Sequence, residues 1–221
     1  MAKKLYISAA AHEHDNPTKC PVKCGENVHC KQYMDIVEKR MKELGVDVKR
    51  GYKDEVGDIA MQHRVADANS WGADLYYVAH TNAGGGRYTM TMCWDDSVSK
   101  AKAAVIGKYR KSINNHKVKA RPDLYEIKQT KMTTLYDELF FHDNAEDCKW
   151  FHNGGMEIMA EETVQALCEL LGVTYKAQST NTVNVAELEA KVKALQNENN
   201  TLKNTIAQLN AKITAAKSAL S

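Results

Sequence analysis

The chain has 221 residues, 43% of them hydrophobic and 26% charged, enough to bury one substantial core with a smaller module appended. Its 30 basic and 28 acidic residues leave a formal charge of +2, which excludes a broad basic field for nucleic acid or an anionic membrane, and no apolar run is long enough to insert into a bilayer. Six scattered cysteines and a start too short in apolar residues for a secretion leader predict synthesis in reducing cytosol with free thiols.

Leu5 to Ser8 reads as a short apolar strand, and His12 to Gly25 as a polar loop carrying Pro17, Cys20, Pro21 and Cys24. From about Glu26 to Leu44, Cys30, Tyr33, Met34, Val37, Met41 and Leu44 recur at helical spacing, with Gly45 as the stop and Glu26 at the mouth. Val46 to Val48 is predicted as a second strand, Ile59 to Asn69 as a second helix, and Leu75-Tyr76-Tyr77-Val78-Ala79 as a strand buried on both faces that ends at His80. Gly84-Gly85-Gly86 lacks the Lys-Ser/Thr ending of a phosphate loop and reads as a flexible rim. An alternating strand from Tyr88 to Trp94 and a helix from Val98 to Ile113 follow. Leu124 to Ile127 and Thr133 to Phe141 are predicted strands, and Met156 to Leu171, stopped by Gly172, is the last core helix. This alternation predicts an α/β fold, a mainly parallel twisted sheet flanked by helices on both faces.

Beyond Tyr175 the composition changes, and a polar linker over 176–183 separates a first domain at 1–175 from a module at 184–221. Val185, Leu188, Val192, Leu195, Asn199, Leu202, Ile206, Leu209, Ile213, Ala216 and Leu220 alternate at spacings of three and four, as the a and d positions of a C-terminal coiled-coil helix. Val or Ile at a with Leu at d favours a parallel dimer, with Asn199 as the polar a residue that sets register. Glu198 would attract Lys203 of the second strand, whereas Lys212 and Lys217 would repel, so these small surface terms leave oligomer order and orientation open.

Four residues fall where a predicted core element meets a loop: His12 (or His14), Glu26, His80 and Glu138. In a doubly wound sheet, ligands collect beyond the carboxyl ends of the strands. Two imidazoles and a carboxylate are the minimal set that holds Zn²⁺ with a coordination position left for water, and a second carboxylate then moves protons. A single histidine after a strand is more often an ordinary core or surface residue; the set is what points to hydrolysis.

The segment from Lys3 to about Tyr175 resembles the zinc-dependent N-acetylmuramoyl-L-alanine amidases of the Amidase_3 type, in the compact form found in phage endolysins and spore-forming bacteria. Ala79-His80-Thr81-Asn82-Ala83 resembles the family's His-x-Asn-Ala strand end, and Glu138-Leu139-Phe140-Phe141-His142-Asp143-Asn144 its Glu-x-x-Phe-x-Asp-Asn segment. Glu26-Asn27-Val28-His29-Cys30, Asn69-Ser70-Trp71-Gly72-Ala73-Asp74 and Leu124-Tyr125-Glu126-Ile127 support it. The resemblance implies cleavage of the amide between N-acetylmuramic acid and the first L-alanine of the stem peptide in bacterial peptidoglycan. Zn²⁺ would be held by His12, Glu26 and His80, Glu138 would carry the proton, and Asn82 would orient His80 or bind substrate. The first ligand departs from the family pattern, since the turn is Ala9-Ala10-Ala11 where many relatives carry proline. His12 is preferred because it lies nearer the strand end; His14 is its rival.

Two other readings stay open: a noncatalytic wall-binding or structural protein on the same fold, and a zinc peptidase acting on wall peptides. Cys20, Cys24 and Cys30 with His29 match no common zinc knuckle, so a loop with free thiols is expected. His142 reads equally as a catalytic helper or a turn residue, and His63, His116 and His152 find no partner in the sequence. A chain made without a leader would reach the wall after phage-mediated release or in a mother cell; wall chemotype and host range are not legible.

Overall fold

The computed structural model describes residues 2–12, 25–178 and 185–219, and the chain divides into two compact units, Met1–Lys176 and Ala177–Ser221. The first unit contains β1 (Lys4–Ala9), α1 (Glu26–Glu43), β2 (Asp47–Lys49), α2 (Gly57–Trp71), β3 (Leu75–Asn82), β4 (Thr89–Cys93) and α3 (Ser97–Tyr109). It continues with β5 (His116–Ala120), α4 (Tyr125–Gln129), β6 (Thr133–Phe141), α5 (Ala145–Trp150), an irregular turn Phe151–Gly155 and α6 (Met156–Leu171). The second unit contributes α7 (Val185–Ala219).

The strands form one sheet in the order β2-β1-β3-β6-β4-β5, parallel except where β4 runs against β6. The mainly parallel α/β expectation therefore holds. Alternate strand residues sort the two faces. Leu5, Ile7, Leu75, Tyr77 and Leu135 pack with Cys30, Tyr33, Met34 and Val37 of α1 and with Val164, Leu167 and Leu171 of α6. Tyr6, Tyr76 and Val78 pack on the other side with Ala68 of α2. Each fully buried Leu or Ile contributes roughly 1.5–3 kcal/mol, and the spacing of Tyr33, Val37 and Met41 along α1 aims that gain at a single face.

A buried polar tie joins the three central strands. Asp137 on β6 accepts from Tyr77 Oη of β3 (2.7 Å) and Thr91 Oγ1 of β4 (2.9 Å), and pairs with Arg110, whose side chain is wholly buried. With its partners in place the charge is satisfied; removing one would leave it uncompensated in the core.

Two expectations fail. Leu124 to Ile127 is not a strand: Tyr125–Gln129 is a short helix, with the Lys128 N–H donating to the Leu124 carbonyl at 2.8 Å. A four-residue run is too short for periodicity to separate strand from helix. The helix turns Glu126 inward, where its Oε1 accepts from Ser8 Oγ (3.1 Å) and Tyr76 Oη (2.8 Å). The helix expected to reach Ile113 stops at Tyr109, and the unexpected β5 lies at the sheet edge with a largely exposed His116-Lys117-Val118-Lys119-Ala120. Lys117 and Lys119 on one face of this edge strand block further pairing, and with Val118 exposed on the other face no buried alternation marks the strand. Among the described residues no helix is long and apolar enough to cross a membrane.

Candidate metal centre

Glu26 is the first residue of α1 and only 1% exposed. Its Oε1 accepts from the Thr81 backbone N–H at 2.9 Å and lies 3.0 Å from His80 Nδ1, while its Oε2 lies 3.2 Å from His12 Nε2. One ligand atom from each of His12, Glu26 and His80 falls within 4.8 Å of the others. Burial works to raise the Glu26 pKa, yet hydrogen bonds from His12 and His80 outweigh it and hold the carboxyl well below its usual range. His80 is buried, whereas the His12 side chain is 43% exposed, so the cluster has a deep side and a solvent side.

The backbone on either flank is pinned. The Ala10 N–H donates to the Ala79 carbonyl at 2.9 Å, carrying the β1–β3 pairing up to the residues before His12 and His80. Arg64, 2% exposed on α2, donates to the Ala9 carbonyl and Ser8 Oγ at one end of its guanidinium and to the Tyr52 and Glu55 carbonyls at the other. It thereby welds the end of β1 to the loop before α2, and the Gly57 N–H closes the same junction on the Ala11 carbonyl. On β3, the His80 ring stacks on Tyr136 with centres 4.4 Å apart and planes at 20°.

Glu138 stands beside His80 in the β3–β6 register, at the last regular pair before a bulge that leaves Asn82 opposite Phe141. Bulges of this kind re-aim side chains near functional sites. Its Oε2 is buried with no hydrogen-bond partner among the described residues. Burial, opposed by His80 and assisted by Glu26, pushes its pKa up to about 7. A carboxyl poised there exchanges a proton near neutrality, as a general acid-base group must.

The structure brings His12, Glu26 and His80 together with Glu138 on the adjoining strand, while His14, Cys20 and Cys24 lie outside the described residues. Asn82 accepts from the Ala83 N–H with its own Oδ1 at 2.8 Å and so shapes the turn after β3. The glycine rim expected to be flexible is tied down: the Gly84 and Gly85 N–H groups both donate to Asp143 Oδ2 at 2.8 Å. Asn144 caps α5 through the Glu146 and Asp147 N–H groups, and His142 is buried with Nδ1 2.9 Å from Thr81 Oγ1. Much of the segment after Glu138 therefore holds the site's shape. His63 sits 2.7 Å from Glu55, His116 2.7 Å from Thr89 and His152 3.1 Å from His29; Cys30, Cys93 and Cys168 are free thiols, and Cys148 Sγ donates to the His142 carbonyl at 3.2 Å.

Arg64 and Tyr136 escaped the sequence reading. Arg64 falls in the same stripe as Ala60 and Ala68, and a charge inside an apolar helix stripe is the signal that would have found it. Tyr136 lies two residues before Glu138 and therefore on the same face of β6.

Residues 10–169 match the family described as N-acetylmuramoyl-L-alanine amidase. No curated protein sequence matches the chain. The catalytic domain of CwlV, an N-acetylmuramoyl-L-alanine amidase from Bacillus (Paenibacillus) polymyxa var. colistinus, is similar in structure with a TM-score of 0.69 at 20% identity, over 78% of this chain and 99% of that one. AmiC2 of Nostoc punctiforme, also an N-acetylmuramoyl-L-alanine amidase, gives 0.67 at 16% identity over 77% and 97%. The catalytic domain of the CD27L endolysin targeting Clostridia difficile gives 0.66 at 19% over 76% and 98%. At these identities the likeness speaks to the fold.

Proposed function

The chain belongs to the N-acetylmuramoyl-L-alanine amidase family, and from that premise we propose that it hydrolyses the amide between N-acetylmuramic acid and the first L-alanine of the stem peptide with one Zn²⁺ held by His12, Glu26 and His80. The observation that carries this reading is the buried Glu26 carboxylate between two imidazoles, with a Glu138 oxygen on the adjoining strand that has no hydrogen-bond partner among the described residues. The donor set fits the ion: two neutral nitrogens and one carboxylate are ligands that Zn²⁺ accepts, and their spacing requires no rebuilding of the backbone. When bound, Zn²⁺ supplies a more acidic water and a Lewis acid for the amide carbonyl.

The chain's own residues do the rest. Glu26 offsets the cation's charge and, through the Thr81 N–H, is fixed in orientation. Tyr136 stacked on His80 holds that ring in one plane. Glu138 Oε2 takes a proton from the attacking water and returns it to the departing nitrogen, which a carboxyl with a pKa of about 7 does in either direction. Asn82, the last residue of β3, is the residue proposed to meet the substrate.

Digestion of purified walls tests the reading. New amino-terminal alanine without new reducing sugar is expected from the zinc-loaded protein, with loss of activity on chelation and recovery on zinc addition. Glu138→Gln should keep its zinc and lose at least about 100-fold in rate. A different new amino terminus would make it a peptidase, and zinc-free binding to walls without cleavage would make it a wall-binding protein.

We also propose that residues 1–175 form the catalytic domain, joined through 176–183 to a module that self-associates as a parallel dimer. Val192, Leu195, Leu202, Ile206, Leu209 and Ile213 of α7 are each 52–63% exposed, an apolar seam that a second copy would cover.

A further inference from the structure

Beyond that centre, a second pair of imidazoles converges. His29 lies three residues after Glu26 on α1 and is fully buried. His152 belongs to the turn Phe151–Gly155, which leaves helical geometry at Asn153 and at Gly154, with φ +93, and sets its ring against α1.

The separations within the pair match those of two ligands sharing an ion. The Nε2 atoms are 3.1 Å apart, the ring centres 4.8 Å apart and the planes at 70°. Two imidazoles with nitrogens 3.1 Å apart, each aimed at one ion over bonds of about 2.05 Å, place their centres about 4.8 Å apart. A straight N–H···N bond of the same 3.1 Å would place them about 5.4 Å apart. His12 and His80 obey the same relation: their centres are 5.3 Å apart, against about 5.2 Å for two tetrahedral ligands.

We propose that His29 and His152 hold a second borderline divalent ion, Zn²⁺ or Co²⁺, that staples α1 to the Phe151–Gly155 turn. Neutral imidazole nitrogens select this class of ion. Burial pushes the His29 pKa down to about 4 and lowers that of His152, so both rings present a lone pair at neutral pH with no proton to displace. Phe140 and Phe151, with ring centres 5.6 and 5.9 Å from His29, wall the inner side, and His152 is half-buried.

Titration of the metal-depleted full-length protein with Zn²⁺ by calorimetry, and with Co²⁺ by absorption, tests the proposal. Two ions per chain are expected for the wild type and one for His152→Ala. Glu26→Gln loses the other ion and retains this one, so failure of the catalytic reading and failure of the staple give different stoichiometries. His152→Cys restores the second ion and adds a thiolate-to-Co²⁺ charge-transfer band. The wild-type melting temperature continues to rise with Zn²⁺ beyond one equivalent, and that of His152→Ala does not. His152→Gln, which keeps a hydrogen-bonding group in the turn, behaves like His152→Ala. A single ion per chain in the wild type, or two in His152→Ala, leaves an ordinary imidazole–imidazole hydrogen bond and overturns the proposal.

Discussion

Glu26, at the start of α1, and Glu138, on β6 beside His80, are two carboxyls that their surroundings drive in opposite directions, the first far down and the second up to about 7. Such divergence separates roles: Glu26 is a permanent anion suited to a ligand, and Glu138 is a group that exchanges its proton near neutrality. The divergence also has a stability consequence in metal-free protein. Glu138, with its folded pKa raised from 4.5 to about 7, contributes stability that is fully present below pH 4.5 and lost as pH rises through 7. Glu26, with its folded pKa depressed, contributes stability present above its ordinary value and lost as pH falls. Urea unfolding of chelator-treated protein should therefore find Glu138→Gln gaining on the wild type from pH 4.5 to 8, by roughly 3 kcal/mol at full ionisation. An offset that stays flat with pH would mean that the folded and unfolded carboxyls titrate alike.

At the scale of elements, the site depends on how strand ends are fastened, and Arg64 is the fastening at β1. Replacing it with Met would strip the carbonyls of Ala9, Tyr52 and Glu55 of their Arg64 donor, with only the Glu55 N–H left on Tyr52, a cost of roughly 1–3 kcal/mol for the buried Ala9 carbonyl alone. Because Ala9 is three residues before His12, Arg64→Met should also weaken zinc binding, and Arg64→Lys should not restore it, since one ammonium cannot span both ends of the junction. Chemical denaturation and a zinc competition assay check this; undiminished zinc affinity in a destabilised variant would confine Arg64 to the fold. The same scale explains what could be read from the chain. α1 and α6 are legible because long amphipathic repeats leave one solution, and β3 because an unbroken apolar run ending at His80 suits a central parallel strand. α4 and β5 are not: one is a five-residue helix, the other an exposed edge strand without alternation. Among the site residues, Glu26, His80 and Glu138 sit at predicted element ends, whereas the Arg64 junction and the Tyr136 stack arise from contacts between distant segments that no local spacing encodes.

At the scale of the whole molecule, α7 raises the question of copy number. Its described a and d side chains, Val192, Leu195, Leu202, Ile206, Leu209 and Ile213, are all exposed, and a lone helix gains nothing from a continuous apolar stripe in water. Pairing two copies would bury it, and Asn199 on the same seam would trade some stability for a defined register. A polymeric wall presents many scissile amides, so two linked catalytic domains would rebind before the first diffuses away, raising effective concentration without altering the chemistry. Placing glutamate at both Leu195 and Leu202 sets like charges across the seam and should convert a dimer into a monomer in sedimentation of the full-length protein. Turnover of a soluble muramoyl-peptide fragment should stay unchanged, because that substrate engages one domain at a time, while wall lysis at dilute enzyme should slow by about tenfold or more. A double variant that remains dimeric would reject the seam, and a proven monomer that lyses walls at the original rate would separate association from catalysis.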